Sequence, residues 1–170
     1  MQIHLFATDV SGLDLIENLS NTDEVTAVII PTNRLDSEKI ERLAAEAERR
    51  GILTVYHRAR MRLPDDLPPA DAGISWLYSQ IIQTDDLLRY PAGLLNMHGG
   101  QIPQYRGQSV LHWAIVNGDT EMGVTWHEIV EDVDAGPIWG ETRIPIPPTA
   151  TAAEMRVAMI EAGLDLFPSA

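Results

Sequence analysis

The residues best suited to chemistry in this sequence are an asparagine and a histidine at alternate positions, Asn96 and His98. They end an apolar segment, 93–98, whose composition predicts a β-strand, and the alternation of a strand places both side chains on one face. Gly99 and Gly100 follow and allow a tight backbone turn. An amide and a protonated imidazole side by side can donate hydrogen bonds to a carbonyl oxygen that becomes an oxyanion. A purely structural Asn and His at the end of a strand is the alternative.

An acidic loop, residues 131–136, supplies the second candidate element. Its Asp134, if it lies beside His98, would orient the imidazole and favour its charged form. An ordinary acidic turn is the alternative interpretation. Clustered carboxylates also bind Mg²⁺ or Ca²⁺, but this loop lacks the ligand spacing of an EF-hand, and we expect no metal.

Other catalytic motifs are missing from the sequence. It has no glycine-rich nucleotide motif, no Walker loop, no nucleophile elbow and no pair of histidines at the zinc-protease spacing. It also has no cysteine, which excludes a disulfide framework, a zinc–thiolate site and thiol catalysis. The candidate chemistry therefore rests on Asn96, His98 and Asp134.

The elements that must position these residues follow an alternating order of strands and helices, which is typical of an α/β fold with a mostly parallel sheet. The expected strands are residues 3–7, 25–30, 52–56, 73–78, 93–98, 123–129 and 137–146. The expected helices are residues 11–20, 37–50, 109–116 and a last one that opens with a capping box at Thr151 and Glu154. Open α/β sheets bind ligands beyond the carboxyl ends of their strands, where Asn96 and His98 stand.

Several side chains have expected structural roles in these elements. Ser11 is expected to cap the first helix, and Asp36 or Ser37 the second. Trp113 and Trp126 fall within apolar helix and strand patterns, and we expect both in the core.

Composition and charge limit the remaining possibilities. With 170 residues, of which 45% are apolar, the chain has the size and composition of one globular domain. Its net charge of −13 at pH 7 repels polyanions, so we expect no nucleic-acid partner. No apolar run approaches the roughly 20 residues that span a membrane, and the N-terminus lacks the pattern of a signal peptide. We therefore expect a cytoplasmic protein with no membrane partner; the sequence leaves its oligomeric state open.

One short segment is basic. If residues 58–62 are extended, the side chains of Arg58, Arg60 and Arg62 share one face. Such a face could dock a carboxylate or a phosphate, or it could be a solvated rim.

The segment from Tyr78 to Ile138 resembles the folate-dependent formyltransferases, whose members act on methionyl-tRNA, glycinamide ribonucleotide or sugar amines. The family pattern is an Asn-x-His pair, a Leu-Leu-Pro-x-Tyr-Arg-Gly-like stretch, a Gly-Val-Thr strand and an Asp-x-Gly loop. Here the pattern is carried, at the family's spacing, by Asn96-Met97-His98, Gln101-Ile102-Pro103-Gln104-Tyr105-Arg106-Gly107, Gly123-Val124-Thr125 and Asp134-Ala135-Gly136. The resemblance implies a Rossmann-like formyltransferase fold with a mostly parallel central sheet flanked by helices.

The resemblance also implies a reaction and its residues. The chain would transfer a formyl group from N10-formyltetrahydrofolate to an amine, without a metal. Asn96 and protonated His98 would stabilise the tetrahedral oxyanion, and Asp134 would hold His98 and help to move the proton. Backbone groups and apolar side chains would hold the pterin of the folate. The residues implied in folate binding are Gln80, Ile81, Ile82, Leu94, Ile129, Val130, Val133 and Asp134.

Some positions depart from the family pattern. Gly100 and Gln101, which replaces an apolar residue, alter the loop after the Asn-x-His pair. Residues 8–12 lack the loop with which the glycinamide-ribonucleotide enzymes hold phosphate, which disfavours a phosphoribosyl substrate. The net charge of −13 and the lack of a C-terminal barrel argue against tRNA. The stretch 123–128 is most similar to the versions in nonribosomal-peptide and siderophore pathways, with the sugar-amine enzymes next.

We expect residues 1–170 to form one formyltransferase catalytic domain with no separate acceptor-binding domain, in a chain that can also be a fragment of a larger enzyme. Two other functions stay open. One is a formyltetrahydrofolate hydrolase that uses the same three residues with water as the nucleophile. The other is a folate-binding domain without turnover. The sequence does not name the acceptor amine, which could be a small molecule or carrier-bound.

Overall fold

The computed structural model of the protein describes residues 1–19, 22–32 and 37–167. The strands in these residues are β1 (Gln2–Ala7), β2 (Glu24–Pro31), β3 (Leu53–His57), β4 (Ala72–Trp76), β5 (Leu94–His98), β6 (Glu121–Glu128) and β7 (Ile138–Pro145). The helices are α1 (Ser11–Asp14), α2 (Ser37–Arg49), α3 (Thr84–Leu87), α4 (Val110–Asn117) and α5 (Ala152–Asp165). A 3₁₀ turn, Leu15–Asn18, continues α1.

The strands hydrogen-bond in the order β3-β2-β1-β4-β5-β6-β7. The predicted class, a mostly parallel sheet with helices, is confirmed. The chain forms two compact units, one of Met1–Leu95 and one that begins at Asn96. The expectation of one catalytic domain over residues 1–170 stays a prediction.

In the first unit, β1 lies between β2 and β4, β3 lies outside β2, and all these pairs are parallel. Leu5 is in register with Val28 on one side and Ile74 on the other. Strand β2 is almost wholly buried, as expected for a strand of a parallel sheet that is covered on both faces. Its β-branched residues suit that position.

In the second unit, β6 and β7 are antiparallel. The connection between them is shorter than the dozen or so residues that a parallel crossover needs. Helix α5 begins at the predicted capping box, since the Thr151 side chain accepts from the Glu154 N–H and the Glu154 side chain accepts from the Thr151 N–H. Trp126 is fully buried, as predicted, and its ring N–H donates to the Gly163 carbonyl of α5 at 2.9 Å.

The prediction that Ser11 caps the first helix is wrong. Ser11 is the first helical residue, Val10 is at the N-cap position, and the Ser11 N–H donates to the Asp9 carboxylate at 3.1 Å. Its hydroxyl instead donates to Asp9 at 2.5 Å and accepts from the Trp76 ring N–H at 2.9 Å. The helix is also shorter than predicted, because it tightens to a 3₁₀ turn at Leu15. Of the two residues predicted to cap α2, Asp36 and the side chain of Ser37 lie outside the described part of the structure.

The arginine segment is not extended, so alternation does not place its side chains on one face. Arg60 has a φ of 64°, and the Met61 N–H donates to the Arg58 carbonyl at 3.1 Å, which closes a turn after β3. Arg62 lies 3.6 Å from Asp85.

The prediction that Trp113 lies in the core is also wrong, because its side chain is 57% exposed on α4. This helix is apolar almost all round in sequence, so periodicity cannot choose its buried face. The structure buries Val110 and Ala114 instead. No helix in the described residues is long and apolar enough to cross a membrane.

Candidate active site

The carboxyl end of β5 carries Asn96 and His98, and Met97 between them is buried. The next two residues must be small. A Cβ on Gly99 would lie 2.3 Å from the sulfur of Met159 in α5, and a Cβ on Gly100 would lie 2.9 Å from His98 Nε2. Backbone that passes this close to an imidazole leaves no room for a side chain. The two glycines therefore let the backbone pass directly beside His98, in addition to allowing the predicted tight turn.

Strand β6 supports the same loop through Gly123 and Thr125. Thr125 is buried, and its hydroxyl donates to the Gly100 carbonyl at 2.7 Å. A Cβ on Gly123 would lie 2.6 Å from the Gln101 nitrogen. The glycine therefore allows close approach of two backbone segments, and the threonine fixes the distance between them.

His98 is buried and contacts an oxygen at each ring nitrogen. Its Nε2 lies 2.6 Å from the Tyr105 carbonyl, so this nitrogen carries a hydrogen and donates. Its Nδ1 lies 3.6 Å from Asp134 Oδ2, which is an ion-pair rather than a hydrogen-bond distance. A protonated imidazole satisfies both contacts at once, because it carries a hydrogen on each nitrogen.

His127, on β6, links the other two residues. Its Nδ1 donates to the Glu128 carbonyl at 2.8 Å. Its Nε2 lies 3.0 Å from the amide nitrogen of Asn96 and 3.5 Å from Asp134 Oδ1. The four side chains thus form a continuous cluster in the order Asn96, His127, Asp134, His98, which we call the site cluster.

Asp134 has a backbone conformation that is unusual for a residue other than glycine, with φ at 49°; aspartate is one of the few residues that adopt it. Its carboxylate accepts from the Gly107 N–H at 2.7 Å. A Cβ on Gly136 would lie 2.1 Å from the Glu128 carbonyl oxygen. The loop between β6 and β7 is therefore held tightly at both sides of Asp134, as is common where strain serves a function.

The environment of Asp134 favours its charged form. Burial alone would raise the pKa of Asp134, but the neighbouring imidazoles of His127 and His98 and the hydrogen bond from the Gly107 N–H outweigh it and leave the pKa below its ordinary value. The carboxylate is therefore ionised at neutral pH and is the fixed negative charge of the site cluster.

The residues predicted to bind folate are divided between the two units. Ile129, Val130 and Val133 lie in the same loop as Asp134, and Val130 and Val133 are exposed. Gln80, Ile81 and Ile82 lie in the first unit, between β4 and α3, while Leu94 begins β5. The exposure of this group varies: Ile81 is largely exposed, whereas Ile82 and Leu94 are buried.

The structure thus brings Asn96, His98 and Asp134 together, and it adds His127, which the sequence analysis did not assign to the site. His127 precedes Glu128 in a predicted strand, where alternation alone could have placed it on either face. No group of three or more His, Asp or Glu side chains within residues 1–19, 22–32 and 37–167 is arranged to hold a metal ion.

Solved structures of known proteins share this fold. The chain superposes on glycinamide ribonucleotide transformylase 1 from Symbiobacterium toebii with a TM-score of 0.78 and 20% identity, over 99% of this chain and 84% of that chain. It superposes on a formyltetrahydrofolate deformylase from Pseudomonas syringae pv. tomato with a TM-score of 0.76 and 21% identity, over 97% of this chain and 58% of that one.

A third similar structure is WlaRD, a sugar 3N-formyltransferase solved in the presence of dTDP and 5-N-formyl-THF. It has a TM-score of 0.77 and 23% identity, over 97% of this chain and 59% of that chain. These likenesses confirm the predicted Rossmann-like formyltransferase fold. Residues 68–170 also match the formyl transferase family, and this match contains all four residues of the site cluster. Because it extends over more than half of the sequence, the chain belongs to the formyl transferase family, a class of formyl-transferring enzymes.

Proposed function

We propose that this protein transfers the formyl group of N10-formyltetrahydrofolate to the amine of a small-molecule or carrier-bound acceptor. The observation that carries the proposal is the site cluster itself. It combines a hydrogen-bonding amide, an imidazole between two oxygen acceptors and an ionised carboxylate at the ends of β5 and β6. Such a set can stabilise an oxyanion and transfer a proton in one place.

The reaction consists of addition and collapse. The acceptor nitrogen attacks the formyl carbon, and the carbonyl electrons move to oxygen to give a tetrahedral oxyanion. The attacking nitrogen loses a proton, the bond between carbon and N10 breaks, and N10 takes up a proton. The products are the formylated amine and tetrahydrofolate.

The contacts of the site cluster assign a role to each residue. Asn96 has two amide hydrogens, and one of them reaches His127, which leaves the second for the oxyanion. His98 has its Nε2 hydrogen held by Tyr105, so its protonated ring stabilises the oxyanion mainly through its charge. Asp134 holds that charge and is the base that takes the proton of the attacking amine. His127 orients Asn96 and Asp134 together.

Three features of the first unit support folate binding by residues 80–82. Both amide atoms of the Gln80 side chain are buried, and neither has a hydrogen-bond partner in the described structure, so the pair could serve a polar ligand. Leu77, which leads into this loop, has a φ of 50°, which is costly for a leucine. The exposed Ile81 offers apolar surface to a ring.

The match to a formyltetrahydrofolate deformylase supports a second candidate, hydrolysis with water as the nucleophile. One assay separates the candidates: the protein is incubated with N10-formyltetrahydrofolate, with and without a panel of amines, and tetrahydrofolate release is followed. Amine-dependent release supports the transferase, and equal release without amine supports the hydrolase. Folate binding without release in any mixture would contradict both and favour a binding domain.

A further inference from the structure

Tyr105 contacts the site cluster through its backbone and the end of α4 through its side chain. Its carbonyl accepts the hydrogen bond from His98 Nε2 at 2.6 Å. Its hydroxyl donates to the Asp119 carboxylate and accepts from the Asn117 amide at 3.1 Å. Asn117 is the last residue of α4, and Asp119 follows it by two positions. One residue thus connects the imidazole to a regular element of the fold.

The backbone around Tyr105 needs such an anchor, because residues 99–109 form neither a helix nor a strand. Within this loop the Tyr105 N–H donates to the Gln101 carbonyl at 2.7 Å. Two residues later, the Gly107 N–H donates to Asp134 at 2.7 Å. The loop therefore holds both His98 and Asp134 by backbone groups, and a shift of the loop would move the two partners of one ion pair.

We propose that Tyr105 is a positioning residue for His98: the bond of its hydroxyl to Asp119, supported by Asn117, fixes the carbonyl that sets the tautomer and orientation of the imidazole. A hydroxyl bound to a carboxylate makes a shorter and stronger bond than one to a neutral acceptor. A misplacement of about 1 Å in a catalytic group can cost as much as a hundredfold in rate. The effect on turnover rests on the proposed function, whereas the effect on the imidazole does not.

The test is the change of Tyr105→Phe, which removes only the hydroxyl. The tautomer of His98 is read from ¹H–¹⁵N NMR spectra of protein with labelled histidine, at a pH where the ring is neutral. We expect the Nε2–H form in the original protein and a mixture of both forms in the variant. The kcat for formyl transfer should fall about tenfold, the factor for one lost hydrogen bond, while the KM for N10-formyltetrahydrofolate stays the same. Tyr56→Phe, at an exposed tyrosine of β3, is the matched control and should change neither the His98 tautomer nor kcat.

Variants of Asp119 separate positioning from general loss of structure. Asp119→Ala should reproduce the tautomer mixture and the loss of kcat, whereas Asp119→Asn, which keeps an acceptor oxygen, should retain most of the original behaviour. The double variant of Tyr105→Phe with Asp119→Ala should lower kcat no further than either change alone, because both changes remove the same hydrogen bond. Circular dichroism melting shows whether each variant is folded.

An unchanged His98 tautomer in folded Tyr105→Phe and Asp119→Ala proteins would overturn the proposal, as would a changed tautomer with an unchanged kcat. If the tautomer changes but none of the proteins, including the original one, transfers a formyl group, the positioning role stands and the proposed function fails.

Discussion

His98 is the residue of the site cluster with the most direct expected effect on rate. His98→Ala should lower kcat by roughly 10² to 10⁴, the usual range for a lost acid–base or oxyanion group. The Kd for folate should change little, because we expect the pterin to be held largely by backbone groups. Steady-state kinetics and a folate titration measure the two quantities. His112→Ala, at an exposed histidine of α4, is the control. A His98→Ala protein with the original kcat would contradict the proposed role of His98 in stabilising the oxyanion.

Asp134 gives a pH-dependent prediction for stability. Its folded-state pKa lies below the ordinary value of about 3.9, so the unfolded chain binds the proton more readily than the folded one. The stabilisation that Asp134 provides is therefore fully present above pH 4 and is lost as the pH falls through the folded pKa. Urea unfolding of the original protein and of Asp134→Asn should give free energies that differ at pH 7 and draw together as the pH falls below about 4. A difference that is constant over this range would mean that the carboxylate is not stabilised by its neighbours.

The site residues could be predicted from sequence to different degrees. Asn96 and His98 could be predicted to lie together, because strand alternation places both side chains on one face. The resemblance then singled out Asp134, whose loop alone could have been any acidic turn. His127 was not predicted, because its contact with Asn96 joins residues 31 positions apart, and only strand pairing shows that they meet. The hydrogen bonds of the Tyr105 hydroxyl with Asp119 and Asn117 could not be predicted from the sequence for the same reason.

The loop between β6 and β7 is the element whose shape the site cluster depends on most. Gly136→Ala would place a Cβ 2.1 Å from the Glu128 carbonyl oxygen, and the loop would have to move to admit it. We expect kcat to fall by at least about tenfold, since small displacements of catalytic groups are costly, with a lower melting temperature as well. Ala135→Ser, at the exposed neighbouring position, should leave both nearly unchanged. Equal activities of the two variants would show that the loop tolerates displacement.

Helices and strands could be predicted correctly where a single sequence pattern determined their ends. The capping box of α5 could be read directly, because its two side chains and their spacing define the bonds. The first helix was predicted with the wrong cap, because the Ser11 hydroxyl bonds to Asp9 and Trp76 instead. It was predicted too long, because it tightens to a 3₁₀ turn at Leu15. The predicted strand 73–78 ends at Trp76, where Leu77 takes a left-handed conformation that no local pattern of an apolar segment indicates.

For the molecule as a whole, a buried histidine links stability to pH. His4 is almost fully buried in β1, and its Nδ1 lies 3.1 Å from the Tyr90 hydroxyl. Burial, with the nearby charge of Arg89, lowers the pKa of His4 from 6.5 to about 4. The unfolded chain therefore takes up this proton first as the pH falls below 6.5, and the folded state loses up to about 1.4 kcal/mol per pH unit until pH 4.

Replacing the histidine tests this link. His4→Gln should remove that part of the pH dependence, so the unfolding free energies of the two proteins should change in parallel above pH 6.5 and diverge between pH 6.5 and 4. Urea unfolding at several pH values measures this. If the NMR titration of His4 has its midpoint near 6.5, the assigned environment is wrong.

The two buried tryptophans have a practical consequence. Trp76 belongs to the first compact unit and Trp126 to the second, and neither has measurable exposure. An indole in an apolar interior emits at shorter wavelength than one in water, so each ring is an intrinsic optical label for its own half of the chain. After the exposed Trp113 and Trp139 are replaced by Phe, a further Trp→Phe change at either buried ring leaves a single tryptophan, which can be excited selectively. Two denaturation curves recorded with such proteins would show whether the halves melt together or one after the other.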